Sequence, residues 1–256
     1  MKVRHYLIAV AVAFAIAANS SAQDPYGSIA DLKLAKPADG QGMASVPAPK
    51  GAIVLFDGKS LDNWVKRDGK SPAHWKILDG GIAQVSGGGD IITKDKFTGS
   101  FKLHVEFRVP YMPTAKGQGR GNSGVYVQGR FEVQVLDSYG LKSKDNDCGG
   151  IYSVAPPLSN ACKAPTVWQS YDISFTAPKC TDGKVTEPGV ITVVHNGVII
   201  HDRQRLVRKQ KDGKEEIVTN TTAGMGGDPC TPGPILLQDH GNPVQYRNIW
   251  LLQAKP

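Results

Sequence analysis

The sequence lacks any apolar run long enough to cross a bilayer, any internal repeat and any segment with a sustained helical period. A membrane span needs roughly 20 apolar residues, and the apolar run at 6–18 is shorter. Charge of one sign is also not concentrated, because the basic residues of segment 203–216 are interspersed with acids. Without an uninterrupted basic patch we expect no nucleic-acid surface, and we interpret 203–216 as a solvated hairpin.

The first residues have the pattern of a targeting signal. Lys2 and Arg4 precede the apolar run, and small residues at 20–22 offer a cleavage site after Ala22. This pattern predicts a secretory signal peptide over 1–22, and an exported protein that is periplasmic or secreted. Its removal would lower the formal net charge from +7 to +5, since two basic residues and no acids are lost.

Residues 23–50 are rich in Ala, Pro, Gly and Asp and are interpreted as an N-terminal arm, either a tether or loosely docked. The folded domain is expected to cover 51–256. Within it, short strands alternate with turn signals, most clearly at 101–109, where every second residue is apolar. Such a strand is expected to bury one face only. The fold class predicted is all-β, an antiparallel β-sandwich of the jelly-roll kind with long, disulfide-pinned loops.

Cysteine is scarce, and the chain has no C-x-x-C pattern or zinc-type spacing. An even number in an exported chain predicts two disulfides that pin the long loops, with three pairings equally open. The four cysteines are Cys148, Cys162, Cys180 and Cys230.

The chain is organised around a predicted hairpin at 121–137, with one apolar and one polar face. A three-residue loop keeps apolar residues opposite one another, whereas a two-residue loop would mix the faces. The three-residue register places Tyr126 opposite Glu132, and Gly124 opposite Gln134. Gly124 then leaves a gap on the polar face that a ligand could fill.

The segment 132–137 is similar to the acid-rich strand of laminarinase-type glycoside hydrolases, but it departs from that pattern. Gln134 stands where a middle Asp would be, and Asp137 would face the other way from Glu132. A retaining pair needs carboxyls about 5 Å apart and an inverting pair about 6.5 to 9.5 Å. The strand alone does not meet either requirement, so a second group must come from elsewhere. Asp239 and His240, at a strand end before a Gly-Asn-Pro turn, are the candidates.

Six motifs together resemble the 3-keto-disaccharide hydrolase domain family over nearly all of 52–254. They occur in the family's order and read FDGKSLDNW (56–64), LHVEFR (103–108), GNSGVY (121–126), FEVQVLD (131–137), IYSVAPP (151–157) and LQDHG (237–241). The resemblance implies a concanavalin A-like fold and action on glycosides already oxidised to a ketone at sugar carbon 3. It also implies a carbohydrate substrate and a functional link to a sugar 3-oxidoreductase.

A 3-ketone acidifies the hydrogen on carbon 2, so one base and one acid suffice for elimination, and water then adds. Glu132 and His240 are expected to share these roles, in either order, with Asp239 or Asp137 orienting His240. The residues expected to contact the sugar are Asn122, Tyr126, Gln134, Asp137, Arg108 and Trp168.

A divalent metal that polarises the ketone is left open, because the sequence shows no ligand set. Two other functions fit the same groove. A lectin-like module would hold sugar by stacking and hydrogen bonds without the acid and base, and a laminarinase-like glucanase would act on the unoxidised sugar.

Overall fold

A computed structural model of the protein describes residues 26–254. The predicted signal peptide lies outside this range. The helical segments described are two short 3-10 turns, Pro37–Gly40 and Gly117–Gly119, and none within residues 26–254 is long and apolar enough to cross a membrane. The strands are β1 Ile53–Phe56, β2 Trp64–Lys66, β3 Lys76–Leu78, β4 Ile82–Gln84, β5 Ile91–Thr93, β6 Ser100–Arg108, β7 Ser123–Val127, β8 Phe131–Val135, β9 Gln169–Thr176, β10 Lys179–Thr181, β11 Lys184–Glu187, β12 Val190–His195, β13 Val198–Arg205, β14 Val207–Lys209, β15 Glu215–Ile217, β16 Leu236–Leu237 and β17 Gln245–Gln253.

Two antiparallel sheets form a β-sandwich, which confirms the predicted fold class. The larger sheet has the order β13-β12-β9-β6-β17-β4-β3, with β1 also paired to β17, and the smaller has the order β2-β5-β16-β7-β8. The hairpin expected at 203–216 is present as β14–β15, and β12 and β13 form another hairpin. Strands β2 and β5 were not predicted from the sequence, because three residues are too few to show a period.

The core lies between the sheets and is built from alternate residues of each strand. Phe101, Leu103, Val105 and Phe107 of β6 are buried there. The Phe131 ring of the smaller sheet meets the Phe175 ring of the larger sheet with centroids 5.7 Å apart. Packing across the two inner faces therefore fixes which residues of each strand point away from the core.

The outer face of β6 is buried as well at His104 and Glu106, although Lys102 is exposed, which corrects the expectation that this strand buries one side only. The N-terminal arm covers it. The Tyr26 hydroxyl donates to the Arg108 carbonyl (2.5 Å), and the Met43 amide donates to the Trp168 carbonyl (3.0 Å). The arm is thus docked on the larger sheet, and its polar contacts replace the water that an outer face would otherwise meet.

Glu106 is the centre of this docking. Its carboxylate accepts hydrogen bonds from Ser45 Oγ (2.6 Å) and the Val46 amide (3.0 Å) of the arm. It also accepts from Arg247 Nε (2.6 Å) and Asn248 Nδ2 (2.7 Å) of β17. Neighbouring residues of a strand normally face opposite ways, but the pairing of β17 with β6 shifts register after Arg247, so that both reach one carboxylate.

The expectation of two disulfides was wrong for one pair. Cys180 and Cys230 form a disulfide that ties β10 to the long loop before β16, as a loop-pinning role requires. Cys148 and Cys162 are free, buried thiols. An even count of cysteines cannot distinguish a bonded pair from two thiols that share a buried cluster.

Replacing Glu106 with Gln should destabilise the protein in a pH-dependent way. Burial opposes ionisation of Glu106, but hydrogen bonds from His104, Ser45, Asn248 and Arg247 outweigh it and lower the pKa to about 2. Because the folded pKa lies below the ordinary value, the stabilisation is complete above pH 4.5 and is lost as the pH falls towards 2. We expect Glu106→Gln to lower the free energy of unfolding by about 3 kcal/mol at neutral pH.

Urea denaturation from neutral pH down to about pH 2.5 measures this effect, with the exposed Glu187→Gln as the control. The difference between wild type and Glu106→Gln should shrink with acidity. A difference that is constant with pH would contradict the ionic role of Glu106.

Candidate active site

The hairpin of β7 and β8 has the predicted register. The loop is 128–130, with Tyr126 opposite Glu132 and Gly124 opposite Gln134. The valines of the hairpin face the core, so these four residues lie on the outer face of the smaller sheet. The sequence pattern was sufficient here because a shift of one residue would have placed Glu132 in the core.

Two rows of side chains cross this outer face. The first row consists of Val65, Ile92, Leu236, Tyr126 and Glu132. Its first three members are apolar, Tyr126 is aromatic, and Glu132 is the one carboxyl group. The second row, two residues further along each strand, is mainly polar and consists of Arg67, Asp90, Gln238, Gly124 and Gln134. Glu132 therefore has an apolar surface on one side and a row of hydrogen-bonding groups on the other.

The pKa of the Glu132 carboxyl group lies close to neutral pH. Its side chain is 2% exposed. Burial raises the pKa of Glu132 to about 7; the hydroxyl of Tyr126, which donates a hydrogen bond to it, opposes this rise, and the negative charge of Asp90 adds to it. A carboxyl group with a pKa near 7 is poised to exchange a proton at physiological pH.

Tyr126 positions that carboxyl group. Burial raises the pKa of Tyr126 well above its ordinary value, so its hydroxyl stays protonated and can donate. The same oxygen accepts a hydrogen bond from Gln238 Nε2 (2.9 Å). Gly124 supplies the space, since a Cβ there would lie 2.5 Å from Glu132 Oε1 and 2.8 Å from the Tyr126 ring. These side chains, and not a ligand, therefore fill the gap that was expected at Gly124.

Two buried oxygen acceptors on this face have no partner within residues 26–254: Asn122 Oδ1 and Gln134 Oε1. Their orientation is set by Gln118, whose Nε2 donates to the Asn146 carbonyl (2.8 Å) and whose Oε1 accepts from Asn122 Nδ2 (3.2 Å) and Gln134 Nε2 (2.9 Å). With the amide nitrogens so engaged, both carbonyl oxygens are left as acceptors. A buried acceptor without a partner costs about 1–3 kcal/mol, which a hydroxyl-bearing ligand would offset.

The turn after β16 carries the other predicted residues. Asp239 accepts hydrogen bonds from the amides of Gly89 (3.0 Å) and Gly241 (2.9 Å), and its own amide donates to Asp90 Oδ1 (2.9 Å). His240 is exposed and makes no hydrogen bond to any of residues 26–254. The expectation that Asp239 would orient His240 is therefore not met, because that carboxylate holds the turn instead.

Asp137 lies beyond the end of β8 and does not contact His240 either. Its carboxylate is 3.3 Å from Arg120 Nε and accepts from the Tyr139 amide (3.3 Å). Burial raises the pKa of Asp137, and the Arg120 charge opposes this rise. On the outer face of β8 itself, Glu132 is thus the one carboxylate, with Gln134 beside it.

Arg108 and Trp168, expected to contact the sugar, lie on the other side of the sandwich. The Arg108 guanidinium stacks on the Tyr26 ring (4.6 Å) and the Trp168 ring (4.9 Å) under the N-terminal arm. Arg247 stacks on Trp168 as well (4.1 Å). Alternation showed which residues of a strand share a face, but it could not show that this face belongs to the sheet away from Glu132.

Three contributors were missed: Asp90, Arg67 and Gln118. Asp90 lies just before β5 and forms an ion pair with Arg67 (2.9 Å). Both residues belong to the same row as Gln134. An acid placed between a run of glycines and a short apolar strand was the available signal. Gln118 lies in a Gly-rich connection, where no period marks its position.

Comparison with known proteins assigns the chain. The family described as the 3-keto-alpha-glucoside-1,2-lyase-like domain matches residues 51–252. The chain belongs to this family. A crystal structure of a candidate glycosyl hydrolase from Parabacteroides distasonis is 38% identical, covers 81% of this chain and 86% of its own, and superposes with a TM-score of 0.68.

A second candidate glycosyl hydrolase from Parabacteroides distasonis shares the fold at 23% identity, over 79% of this chain and 99% of its own, with a TM-score of 0.55. No curated protein matches the chain. The comparisons thus establish the sandwich and a 3-keto-glycoside lyase-like family of carbohydrate-acting proteins.

A side chain at position 124 should disturb the Glu132 carboxyl. The added methyl group of Gly124→Ala would overlap Glu132 and Tyr126, and we expect the free energy of unfolding to fall by about 1–3 kcal/mol. Gly42→Ala is the matched control, since its methyl group would make ordinary contacts with Trp168. Equal stability of the two variants in urea denaturation would show that the space is not needed.

Replacing Glu132 with Gln should stabilise the protein at high pH. The folded pKa of about 7 lies above the ordinary 4.5, so the folded state holds the extra proton and wild-type stability falls as the pH rises between these values. The free energy of unfolding of Glu132→Gln, relative to wild type, should increase by up to about 3 kcal/mol from pH 4.5 to about pH 8. Urea denaturation at a series of fixed pH values measures this difference. A difference that does not change with pH would show that ionisation of Glu132 does not destabilise the folded protein.

Proposed function

We propose that this protein cleaves glycosides that carry a ketone at sugar carbon 3, by elimination followed by addition of water. The observation that carries the proposal is Glu132, a single buried carboxyl with a pKa of about 7 on the outer face of the smaller sheet. Membership of a 3-keto-glycoside lyase-like family supports it.

Glu132 is proposed as the base. The ketone acidifies the C2 hydrogen, and the carboxylate removes it. The electrons of the C2–H bond form a double bond between C1 and C2, and the C1–O bond breaks. Water then adds across that double bond, so that the net change is hydrolysis. One carboxylate is sufficient, which agrees with Gln134 beside Glu132 on β8.

His240 is proposed as the acid that protonates the departing oxygen. It is exposed on the turn that follows Gln238, and Gln238 reaches the Tyr126 hydroxyl beside Glu132. A protonated imidazole is a suitable proton donor to a departing oxygen. The hydrogen bonds that hold Asp239 fix the turn, and they leave the His240 ring to meet the ligand.

The acceptors Asn122 Oδ1 and Gln134 Oε1 are proposed to bind sugar hydroxyls. Both are buried and lack a donor within residues 26–254, and they lie on the face that carries Glu132. A hydroxyl donating to each would remove the cost of an unpaired acceptor. A lectin-like module has use for such acceptors, but it has no need of a carboxyl group poised at neutral pH.

Two further points belong to the same proposal. The basic start and apolar run of 1–22 support export of the protein. The ketone must be made before this protein acts, so a reaction that oxidises the hydroxyl at sugar carbon 3 has to supply the substrate.

The test compares a 3-keto-disaccharide with its unoxidised parent and follows release of reducing sugar. We expect turnover of the keto sugar alone, and Glu132→Gln and His240→Asn should each lower the rate about 100-fold or more. Glu187→Gln, an exposed strand glutamate, is the control. Turnover of the parent would favour a glucanase, and binding without turnover would favour a lectin.

Deuterium oxide separates the two roles. If Glu132 is the base, Glu132→Gln should lose exchange of the C2 hydrogen, while His240→Asn should retain it. A substrate with a good leaving group, such as a nitrophenyl 3-keto-glucoside, should restore cleavage by His240→Asn only, since that leaving group needs no proton. The reverse pattern would make His240 the base and Glu132 the acid.

A further inference from the structure

A second cluster of reactive side chains lies in the interior of the sandwich, apart from the outer face that carries Glu132. It consists of Cys148 and Cys162, both in the connection between β8 and β9, and His195 at the end of β12. All three are buried, and His195 is 0% exposed. The two sulfur atoms and a ring nitrogen of His195 lie within 4.8 Å of one another.

The hydrogen bonds around His195 determine which ring nitrogen is available. Gln169 Oε1 accepts from the Lys163 amide (2.8 Å) and from Asn196 Nδ2 (3.3 Å), so this atom is the oxygen of the Gln169 amide. It lies 3.0 Å from His195 Nε2, which must therefore donate. With the proton on Nε2, the neutral ring carries its lone pair on Nδ1.

Nδ1 of His195 is buried and has no hydrogen-bond partner within residues 26–254. A neutral imidazole whose second nitrogen donates to a fixed oxygen is the arrangement found in metal-ligating histidines. Here Nδ1 faces Gly149, the neighbour of Cys148, since a Cβ at Gly149 would lie 3.9 Å from it, and His195 shares its cluster with two thiols that form no disulfide. The cluster thus offers three potential metal ligands, two sulfur atoms and one nitrogen, rather than a single cysteine.

We propose that Cys148, Cys162 and His195 bind one Zn²⁺ ion. Two thiolates and one neutral imidazole occur together as zinc ligands in sites whose fourth position is taken by a small ligand such as water, and the two negative charges cancel the charge of the ion, which limits the cost of burial. Binding breaks two S–H bonds, and both protons leave to solvent. The Tyr171 hydroxyl lies 3.1 Å from Cys148 Sγ and donates to the Gln134 carbonyl (2.7 Å), so it links this sulfur to β8.

Zinc at this position would fasten the strand that carries Glu132. The Gly149 amide donates to the Gln134 carbonyl (2.9 Å), and the Tyr152 amide donates to the Glu132 carbonyl (3.2 Å). Residues 149–152 thus border β8, and the ion would tie the start of this segment to β12 of the larger sheet. We therefore assign the ion a structural role, independent of the reaction proposed above.

Two measurements on the full chain, purified without chelator, test the proposal. They are the zinc content and the absorption spectrum after replacement of the ion by Co²⁺. We expect one Zn²⁺ per chain and, with Co²⁺, a thiolate-to-metal charge-transfer band and intense visible bands typical of tetrahedral cobalt. Cys148→Ser and His195→Asn should each weaken metal binding at least 10-fold. The double variant Cys180→Ser/Cys230→Ser, which removes the other sulfur pair, should bind as wild type does.

X-ray absorption at the zinc edge of the wild-type protein keeps the test independent of whether the variants fold. Two sulfur ligands and at least one nitrogen ligand are expected. A disulfide between Cys148 and Cys162 in peptide maps of the isolated protein would overturn the proposal. Zinc bound by oxygen and nitrogen ligands alone would overturn it too.

Discussion

The carboxyl group of Glu132 is buried although it lies on the outer face of the smaller sheet, so water does little to stabilise its charge. An ionised carboxylate in such a place is costly, and the surrounding structure keeps that cost tolerable. Tyr126 donates to the group, Gly124 leaves it room, and the second row of polar residues begins beside it. The arrangement holds a proton that can be exchanged at neutral pH. Each of these features depends on the register of a single hairpin.

That register could be predicted from the sequence because it is a local property. Alternation along β7 and β8 allows one pairing in which all the valines face inward, and the pairing then places Glu132 opposite Tyr126. The fold class followed in the same way from short alternating segments and turn residues. The three-residue strands β2 and β5 carry no such period, and with them Asp90 and Arg67 were missed.

What the sequence could not provide is the relation between distant segments. Arg108 alternates correctly along β6, yet its face is covered by the N-terminal arm and turned away from Glu132. Asp239 is next to His240 in the chain, but backbone amides of two loops take up its carboxylate. The cysteines show the same limit, since their number is compatible with one disulfide and a thiol pair as well as with two disulfides. In each case the deciding partner comes from a segment far away in the sequence.

The docking of the arm on Glu106 has a consequence for the order of folding. The arm is made first, but the carboxylate that receives it is completed by Arg247 and Asn248 of the last strand, which also pairs with β1. The beginning of the domain therefore has no finished surface to bind until its end has been synthesised. Contacts of such large sequence separation form slowly, because the loop entropy must be overcome before they contribute. A growing chain is thus kept from completing this fold until β17 has left the ribosome.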